Sequence, residues 1–115
     1  ITHSEARYQR WEEIDIANNP EITPGGVTNR WVYQSLKYSR KARSDAGKID
    51  IPLLVFEAGE DVFVQSRGLN LLCKRSSNCR RIFYPHSRHI IPIEVDAIGR
   101  DMMVHLRSFF AESDG

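Results

Sequence analysis

An uninterrupted apolar run, IPLLVF at residues 51–56, constrains the fold of this chain more than any other feature. A strand with one covered face alternates apolar and polar residues, whereas a strand covered on both faces reads as a continuous apolar run. Parallel sheets are covered on both faces because their crossover helices pack there. The run therefore predicts a strand of a parallel sheet.

The residues after this run alternate between helix and strand patterns. QSRGLNLLCK (65–74) reads as a short helix, RRIFYP (80–85) as a second strand, and EVDAIGRDMMVHLRSFFAE (94–112) as a closing helix. The predicted core face of the closing helix is an apolar stripe of Ile98, Met102, Leu106, Phe109 and Phe110. This order predicts an α/β fold in which a right-handed crossover joins two parallel strands.

The first 47 residues have a helical pattern instead. Thr2 and Glu5 stand at capping-box spacing, and Pro20 would end the helix that follows. Its apolar face would consist of Tyr8, Trp11 and Ile14. After the loop EITPGGVT, Thr28 is placed to cap a second helix that fades near Gly47.

We therefore expect a helical segment at residues 1–47 and an α/β segment at residues 48–115. The formal net charge of +1 argues against a nucleic-acid binder, whose domain would be distinctly basic. No run approaches the roughly 20 apolar residues that span a bilayer, and no signal peptide is visible. Because the chain starts with Ile1 rather than Met, we expect it to belong to a larger protein.

Two local features leave alternatives open. Basic residues gather in KYSRKARSDAGK (37–48) and CKRSSNCRR (73–81), which are either solvated surfaces or a patch for phosphate head groups or an anionic membrane. Cys73 and Cys79 fit neither a C-x-x-C redox motif nor a zinc quartet. They are either free thiols or a local disulfide.

Both predicted strands lead into residues suited to catalysis. Ligands and catalytic groups gather beyond the carboxyl ends of parallel strands. AGEDVFV follows the first strand and YPHSRHIIPIE ends the second, so Asp61 and His89 can meet at one edge of the sheet. In such a pair the carboxylate holds one ring nitrogen while the other accepts a proton from a nucleophile. A metal site at His86, His89 and Glu94 is not expected, because H-x-x-H in a loop lacks the H-E-x-x-H helix frame.

These stretches resemble the acid and histidine motifs of serine hydrolases with the α/β-hydrolase fold. IPLLVFEAGEDVFV looks like the strand of that fold that ends in a small residue. In the family pattern this residue is followed by two variable residues, Asp, one variable residue and two apolar residues. HSRHIIPIE is similar to its His followed by Glu five positions on. The resemblance implies the C-terminal portion of an α/β-hydrolase, with Asp61 as triad acid and His89 as triad base. Glu60 is the second choice for the acid.

Upstream, THSEARYQR, NNPEI and GGVTNRWVYQS resemble the cap of bacterial lysophospholipases related to monoacylglycerol lipases. The resemblance implies a cap, or lid, at residues 1–47 and hydrolysis of the acyl ester of lysophospholipids without a cofactor. A monoacylglycerol lipase or another carboxylic-ester hydrolase is the alternative. The resemblance also implies a bacterial cytoplasmic enzyme attached peripherally to the inner membrane.

Four residues of the predicted cap are candidates for substrate binding. Tyr8, Trp11 and Trp31 either line an acyl-chain tunnel or pack helix to helix. Arg7 either pairs with the lipid phosphate, which suits a planar guanidinium, or forms surface salt bridges.

The sequence departs from the family pattern at three points. Ile90 stands where Glu usually follows the histidine, and Ala58 stands where Gly is common. None of the seven glycines belongs to a G-x-S-x-G nucleophile elbow. We therefore expect the serine and the oxyanion hole in an N-terminal part of the same hydrolase, and no hydrolysis by these 115 residues alone. The other hypothesis is a catalytically silent relative that binds lipid or protein.

Overall fold

A computed structural model of the chain describes residues 1–22 and 26–113. Residues 23–25 of the predicted loop and residues 114–115 lie outside the described ranges. The principal elements are α1 (Glu5–Gln9), a π-helix (Arg10–Ile16), α2 (Asn29–Asp45), β1 (Leu53–Ala58), α3 (Ser66–Arg75), β2 (Cys79–Tyr84) and α4 (Asp96–Ser113). Short 3-10 turns lie at Pro20–Ile22, Ala46–Lys48 and Ile91–Ile93.

The predicted α/β fold with a parallel strand pair is confirmed. β1 and β2 pair in parallel, from Leu53 opposite Cys79 to Ala58 opposite Tyr84, and α3 connects them. β1 begins two residues later than predicted because Pro52 has no N–H to donate, and Leu53 N–H makes the bond to Asn78 O at 2.8 Å.

β1 is less covered in this chain than its apolar run predicts. Residues 53–56 are half-buried, and full burial is reached only at Glu57 and Ala58. Within the described residues the sheet has two strands, so each strand has an open edge. The two-faced burial expected from the run is therefore only partial here.

The N-terminal helix differs from the prediction in its cap and in its geometry. Ser4, not Thr2, is the N-cap residue of α1. The Thr2 hydroxyl instead donates to Ile93 O at 2.8 Å and accepts from Ser4 N–H at 3.0 Å. After Gln9 the predicted α-helix continues as a π-helix that ends at Ile16, before Pro20. The local capping signal was overridden because Thr2 serves a contact with the other end of the chain.

The second helix begins as predicted. The side chain of Thr28 accepts a hydrogen bond from Trp31 N–H at 3.1 Å, which satisfies one of the free donors of the first turn. α2 lies against α3, and the guanidinium of Arg75 donates to Arg43 O at 2.8 Å. The division of the chain at residue 47 stays a prediction.

A small apolar core lies between the sheet and α4. Ala58, Tyr84 and Ile91 are buried, and four half-buried side chains pack on them: Phe56, Ile82, Ile98 and Met102. The Tyr84 hydroxyl donates to Asp101 on α4 at 2.8 Å. The predicted stripe of α4 is correct for Ile98 and Met102 but wrong for Phe110, which is 61% exposed. Successive helical residues are about 100° apart, so Phe109 and Phe110 cannot share one narrow face.

Two further features of the chain bear on its open questions. Cys73 and Cys79 form a disulfide that links the end of α3 to the start of β2. The sequence left free thiols or a local disulfide as alternatives, and the structure has the disulfide. No helix in the described ranges combines the length and the apolar character needed to cross a membrane.

We predict that Gly59→Ala destabilises the protein by about 1–3 kcal/mol. A Cβ at Gly59 would lie 2.5 Å from Pro85 O and 2.7 Å from Pro85 Cα, so backbone would have to move. Urea unfolding of the protein measures the change. Gly99→Ala is the matched control, because its Cβ would only touch Pro92 O at 3.6 Å and alanine favours a helix. Equal stabilities of the two variants would contradict the prediction.

Candidate active site

The turn after β1 holds Asp61 in place through its own backbone. One carboxylate oxygen, Oδ1, accepts hydrogen bonds from the N–H groups of Phe63 at 2.8 Å and Val64 at 3.1 Å. The side chain is 9% exposed. Because both donors follow within three residues, the sequence EDVFV itself fixes the orientation of the acid.

The other carboxylate oxygen of Asp61 contacts His89. Nδ1 of His89 lies 2.8 Å from Asp61 Oδ2, and the Phe63 ring meets the imidazole edge-on at a centroid distance of 5.0 Å. The imidazole is 39% exposed. Within residues 1–22 and 26–113, no hydrogen bond or ion pair occupies its Nε2. With Nδ1 held by a carboxylate, Nε2 is the nitrogen available for proton transfer.

The same contacts act on the acidity of Asp61. Burial by itself raises the pKa of this carboxyl group. The hydrogen bonds from His89 and from the N–H groups of Phe63 and Val64 outweigh burial, so the pKa lies below the usual value of an aspartate. The carboxyl group is therefore ionised at neutral pH, as required to stabilise an imidazolium ring.

Each of the three carboxylates at the end of β1 contacts a different basic side chain. Glu57 Oε2 lies 3.2 Å from Nε of Arg81, and Glu60 Oε2 lies 3.0 Å from Nε2 of His3. Only Asp61 contacts His89. Of the two candidates for the acid, Asp61 and not Glu60 is therefore the one that contacts His89. The role of Asp61 stays a prediction.

The loop that carries His89 is anchored by the buried carboxylate of Glu94. This side chain is fully buried and accepts hydrogen bonds from the N–H groups of Arg88 at 2.9 Å, His3 at 3.0 Å and Val95 at 3.2 Å. Arg88 directly precedes His89 in the chain, so Glu94 restrains the backbone from which the imidazole projects. Sequence reasoning considered Glu94 as part of a family motif and as a possible metal ligand, and it missed this role. Its spacing of five residues from His89 was the available signal.

His3 links the two ends of the chain at this loop. Its ring lies between two carboxylates, with Nε2 3.0 Å from Glu60 Oε2 and Nδ1 3.2 Å from Glu94 Oε1. The backbone adds a further bond, from Ile90 N–H to Ile1 O at 3.2 Å. The N-terminal residues, assigned to the cap by the sequence, thus contact the histidine loop directly.

The pKa of Glu94 is also subject to opposing effects, and hydrogen bonding outweighs burial. Desolvation raises the pKa of Glu94, whereas the N–H groups of Arg88, His3 and Val95 and the ring of His3 lower it. The net effect is a pKa below the usual value of a glutamate. Glu94 is therefore a buried anion whose charge is balanced by oriented N–H donors.

Among the described residues, the four candidates for substrate binding form no hydrogen bond, ion pair or ring contact with Asp61 or His89. Arg7 donates to Glu94 O and to Asp96 Oδ1. It also borders an open cavity of about 520 Å³ whose other walls are Pro92, Asp96, Gly99, Arg100, Met103, Val104 and Arg107. Neither Asp61 nor His89 lines that cavity.

The aromatic candidates are partly exposed. The Tyr8 hydroxyl donates to Glu12, and its ring lies 6.4 Å from the Trp11 ring. Trp11 is 38% exposed and Trp31 is 61% exposed. No ring contact joins Trp31 to Tyr8 or Trp11 in the described part of the chain. Their role in substrate binding stays a prediction.

No arrangement typical of a metal site is present among the described residues. His86 Nδ1 lies 3.7 Å from Glu60 Oε1, and His89 is engaged with Asp61. Within residues 1–22 and 26–113, no group of three or more His, Cys, Asp or Glu is placed to hold an ion.

Comparison with known families identifies the class of protein. The sequence model of the family described as "Serine aminopeptidase, S33" matches residues 2–96, which is most of the chain. The chain belongs to this family of α/β hydrolases. The matched region includes the parallel strand pair and both Asp61 and His89.

Curated relatives of this α/β hydrolase are lysophospholipases. The chain is 27% identical to the probable lysophospholipase L2 of Haemophilus influenzae over 100 residues, which are 87% of this chain and 32% of the relative. It is 32% identical to lysophospholipase L2 of Escherichia coli K12 over 74 residues, which are 64% of this chain and 22% of the relative. The matched part thus spans about a third or less of the length of these relatives.

We predict that Glu94→Gln destabilises the protein by about 3 kcal/mol at pH 7. An amide offers one acceptor oxygen, so in either orientation its NH₂ group would face a backbone N–H donor. Urea unfolding of the protein measures the loss. The exposed ion pair of Glu112 with Arg80 provides the control, and Glu112→Gln should change stability little.

The loss caused by Glu94→Gln should depend on pH in one direction. Because folding lowers the pKa of Glu94, its charge stabilises the native state fully above the unfolded pKa of about 4.3. This contribution disappears as the pH falls through the lower, folded pKa. A difference between wild type and variant that stayed constant from pH 7 down to acid unfolding would contradict the assignment.

Proposed function

We propose that this chain supplies the acid and the histidine of a lysophospholipase that uses a Ser-His-Asp mechanism. The observation that carries the proposal is the contact between Asp61 Oδ2 and His89 Nδ1 at 2.8 Å, with the second oxygen of Asp61 held by two backbone N–H groups. This arrangement fixes the ring and directs Nε2 away from the acid. The family and the curated relatives support a hydrolase of this class.

In the proposed reaction, a serine upstream of this chain attacks the acyl carbonyl of the substrate. Nε2 of His89 takes the hydroxyl proton and then delivers it to the departing glycerol oxygen, while Asp61 stabilises the charged imidazole. The acyl-enzyme is opened by water, whose proton again passes to Nε2 and then back to the serine oxygen. The products are a fatty acid and a glycerophosphodiester.

The mechanism requires a partner in the same polypeptide. The serine and the oxyanion hole belong to the N-terminal part of the hydrolase, so we propose that residues 1–115 alone are inactive. No cofactor takes part in this chemistry. We further propose a bacterial cytoplasmic enzyme in peripheral contact with the inner membrane, with residues 1–47 as the cap over a lysophospholipid or monoacylglycerol.

We predict that Asp61→Asn in the complete polypeptide lowers kcat on lysophosphatidylcholine about 10⁴-fold. The amide cannot neutralise the imidazolium and would favour the wrong tautomer of His89. The release of fatty acid is the measured quantity. Glu60→Gln is the matched control, because the adjacent carboxylate contacts His3 instead of His89 and its loss should leave most of the rate.

The outcome of this pair of variants separates the alternatives. A larger loss with Glu60→Gln than with Asp61→Asn would overturn the assignment of the acid. A complete wild-type polypeptide without turnover on lysophospholipid, monoacylglycerol or a proline amide would favour the catalytically silent relative.

A second prediction concerns the class of substrate. If Arg7 binds the lipid phosphate, Arg7→Ala should lower kcat/KM on lysophosphatidylcholine by about 10- to 100-fold more than on monoolein, which has no phosphate. Using the ratio of the two rates removes the effect of losing the bonds of Arg7 to Glu94 O and Asp96. Arg100→Ala is the control, since Arg100 also pairs with Asp96. Equal losses on both substrates would exclude phosphate recognition by Arg7.

A further inference from the structure

The near-zero net charge of the chain conceals a strong separation of charge. Residues 29–48 and 66–75, which contain α2 and α3, hold nine Lys or Arg and one acidic residue. The rest of the sequence holds seven Lys or Arg and fourteen Asp or Glu. The first set therefore carries a formal charge of +8 and the remainder −7. A chain with randomly mixed charges would not divide in this way.

The fold joins the basic residues of the two segments into one surface. α2 lies against α3, where Arg75 donates to Arg43 O at 2.8 Å. A Cβ added at Gly68 of α3 would lie 3.8 Å from the guanidinium of Arg43. We call the α2 and α3 pair, with the 3-10 turn Ala46–Lys48, the basic surface.

Most cations of the basic surface have no acidic neighbour to neutralise them. Lys41 and Lys48 share Asp45, at 2.6 and 2.8 Å. The ion pairs among the described residues involve none of four exposed cations, which are Lys37, Arg40, Arg67 and Lys74. In the described part of the chain these four side chains are therefore accessible to an anionic partner.

The basic surface also carries exposed aromatic side chains. Trp31, Tyr33 and Tyr38 on α2 are each more than 60% exposed. Lys37 and Lys41 are one helical turn apart, and Arg30 lies two turns before Lys37, so the three cations align along one face between these aromatic residues. Cations beside Trp and Tyr are typical of helices that lie in a membrane interface.

We propose that the basic surface docks on an anionic phospholipid bilayer. The negative surface potential of such a bilayer attracts clustered Lys and Arg, and Trp and Tyr insert at the level of the head groups. The acidic remainder of the chain would then face away from the bilayer. The choice of a membrane as partner rests on the proposed function, which requires access to a lipid, whereas the location of the surface follows from the charge separation alone.

The test measures membrane binding without hydrolysis. The complete polypeptide is mixed with vesicles of ether-linked phosphatidylcholine, with or without half phosphatidylglycerol, and the bound fraction is measured by flotation. Ether-linked lipids contain no ester to cleave, so binding is read independently of activity, which is assayed on lysophosphatidylcholine. We expect binding to the anionic vesicles only, and weaker binding at high salt.

Two charge-reversal variants locate the surface. Lys37→Glu with Arg67→Glu places one change on each basic helix. Binding should fall about 30-fold or more, since each cation near an anionic bilayer contributes roughly a fivefold factor and each new Glu side chain is repelled. Arg10→Glu with Arg107→Glu is the control of equal charge, because both residues are exposed, lie outside the basic surface and form no ion pair among the described residues. Circular dichroism confirms that the variants fold.

Each outcome of the experiment has one meaning. A 30-fold loss in the first variant with a small loss in the control supports the proposal, whether or not the enzyme is active. Equal losses in both variants, unchanged binding in the first variant, or no binding of the wild type to anionic vesicles would overturn it. Wild-type binding to single-stranded RNA with none to vesicles would assign the surface to nucleic acid instead and also overturn it.

Discussion

The parallel pairing of β1 with β2 is the constraint on which the rest of the structure depends. In-register pairing from Leu53 with Cys79 to Ala58 with Tyr84 brings both strands to an end at the same edge. Gly59 N–H still bonds Tyr84 O at 2.8 Å, and a side chain at Gly59 would collide with the Pro85 backbone. The two loops therefore leave the sheet in contact, and residues 28 positions apart in the chain become neighbours. A shift of register by two residues would move the loops apart by about 7 Å and separate the acid from the imidazole.

The acid and the histidine are oriented by different means. Asp61 is held by N–H groups of its own turn, so its geometry needs only the local sequence. His89 has Asp61 on one side, but its backbone is restrained by Glu94, which in turn binds His3 near the N-terminus. The orientation of the imidazole thus depends on residues from both ends of the chain. Any rearrangement of the N-terminal segment would act on His89 through this carboxylate.

Sequence reasoning worked where one physical signal dominated. The continuous apolar run before Glu57 indicated a parallel strand, and the strand-end positions of Asp61 and His89 predicted their proximity, because topology alone brings strand ends together. It failed where distant contacts replaced local ones. Thr2 has the spacing of a helix cap, yet its hydroxyl binds Ile93 O, and no local pattern contains that information. For Glu94 the sequence offered only its spacing of five residues from His89. Its burial and its N–H donors could be recognised only once they were located in space.

The net charge of the chain does not reveal where its positive and negative side chains lie. A net charge of +1 excludes a uniformly basic domain but says nothing about how cations and anions are distributed. Three carboxylates lie at the end of β1, where Glu57 contacts Arg81, Glu60 contacts the ring of His3 and Asp61 contacts the ring of His89. The lysines and arginines of α2 and α3 have a single acidic residue, Asp45, among them. In the proposed mechanism Asp61 stabilises the charged form of His89, whereas the proposed docking on anionic lipid needs cations. The two proposals therefore need opposite charges, and the fold has these charges on different elements.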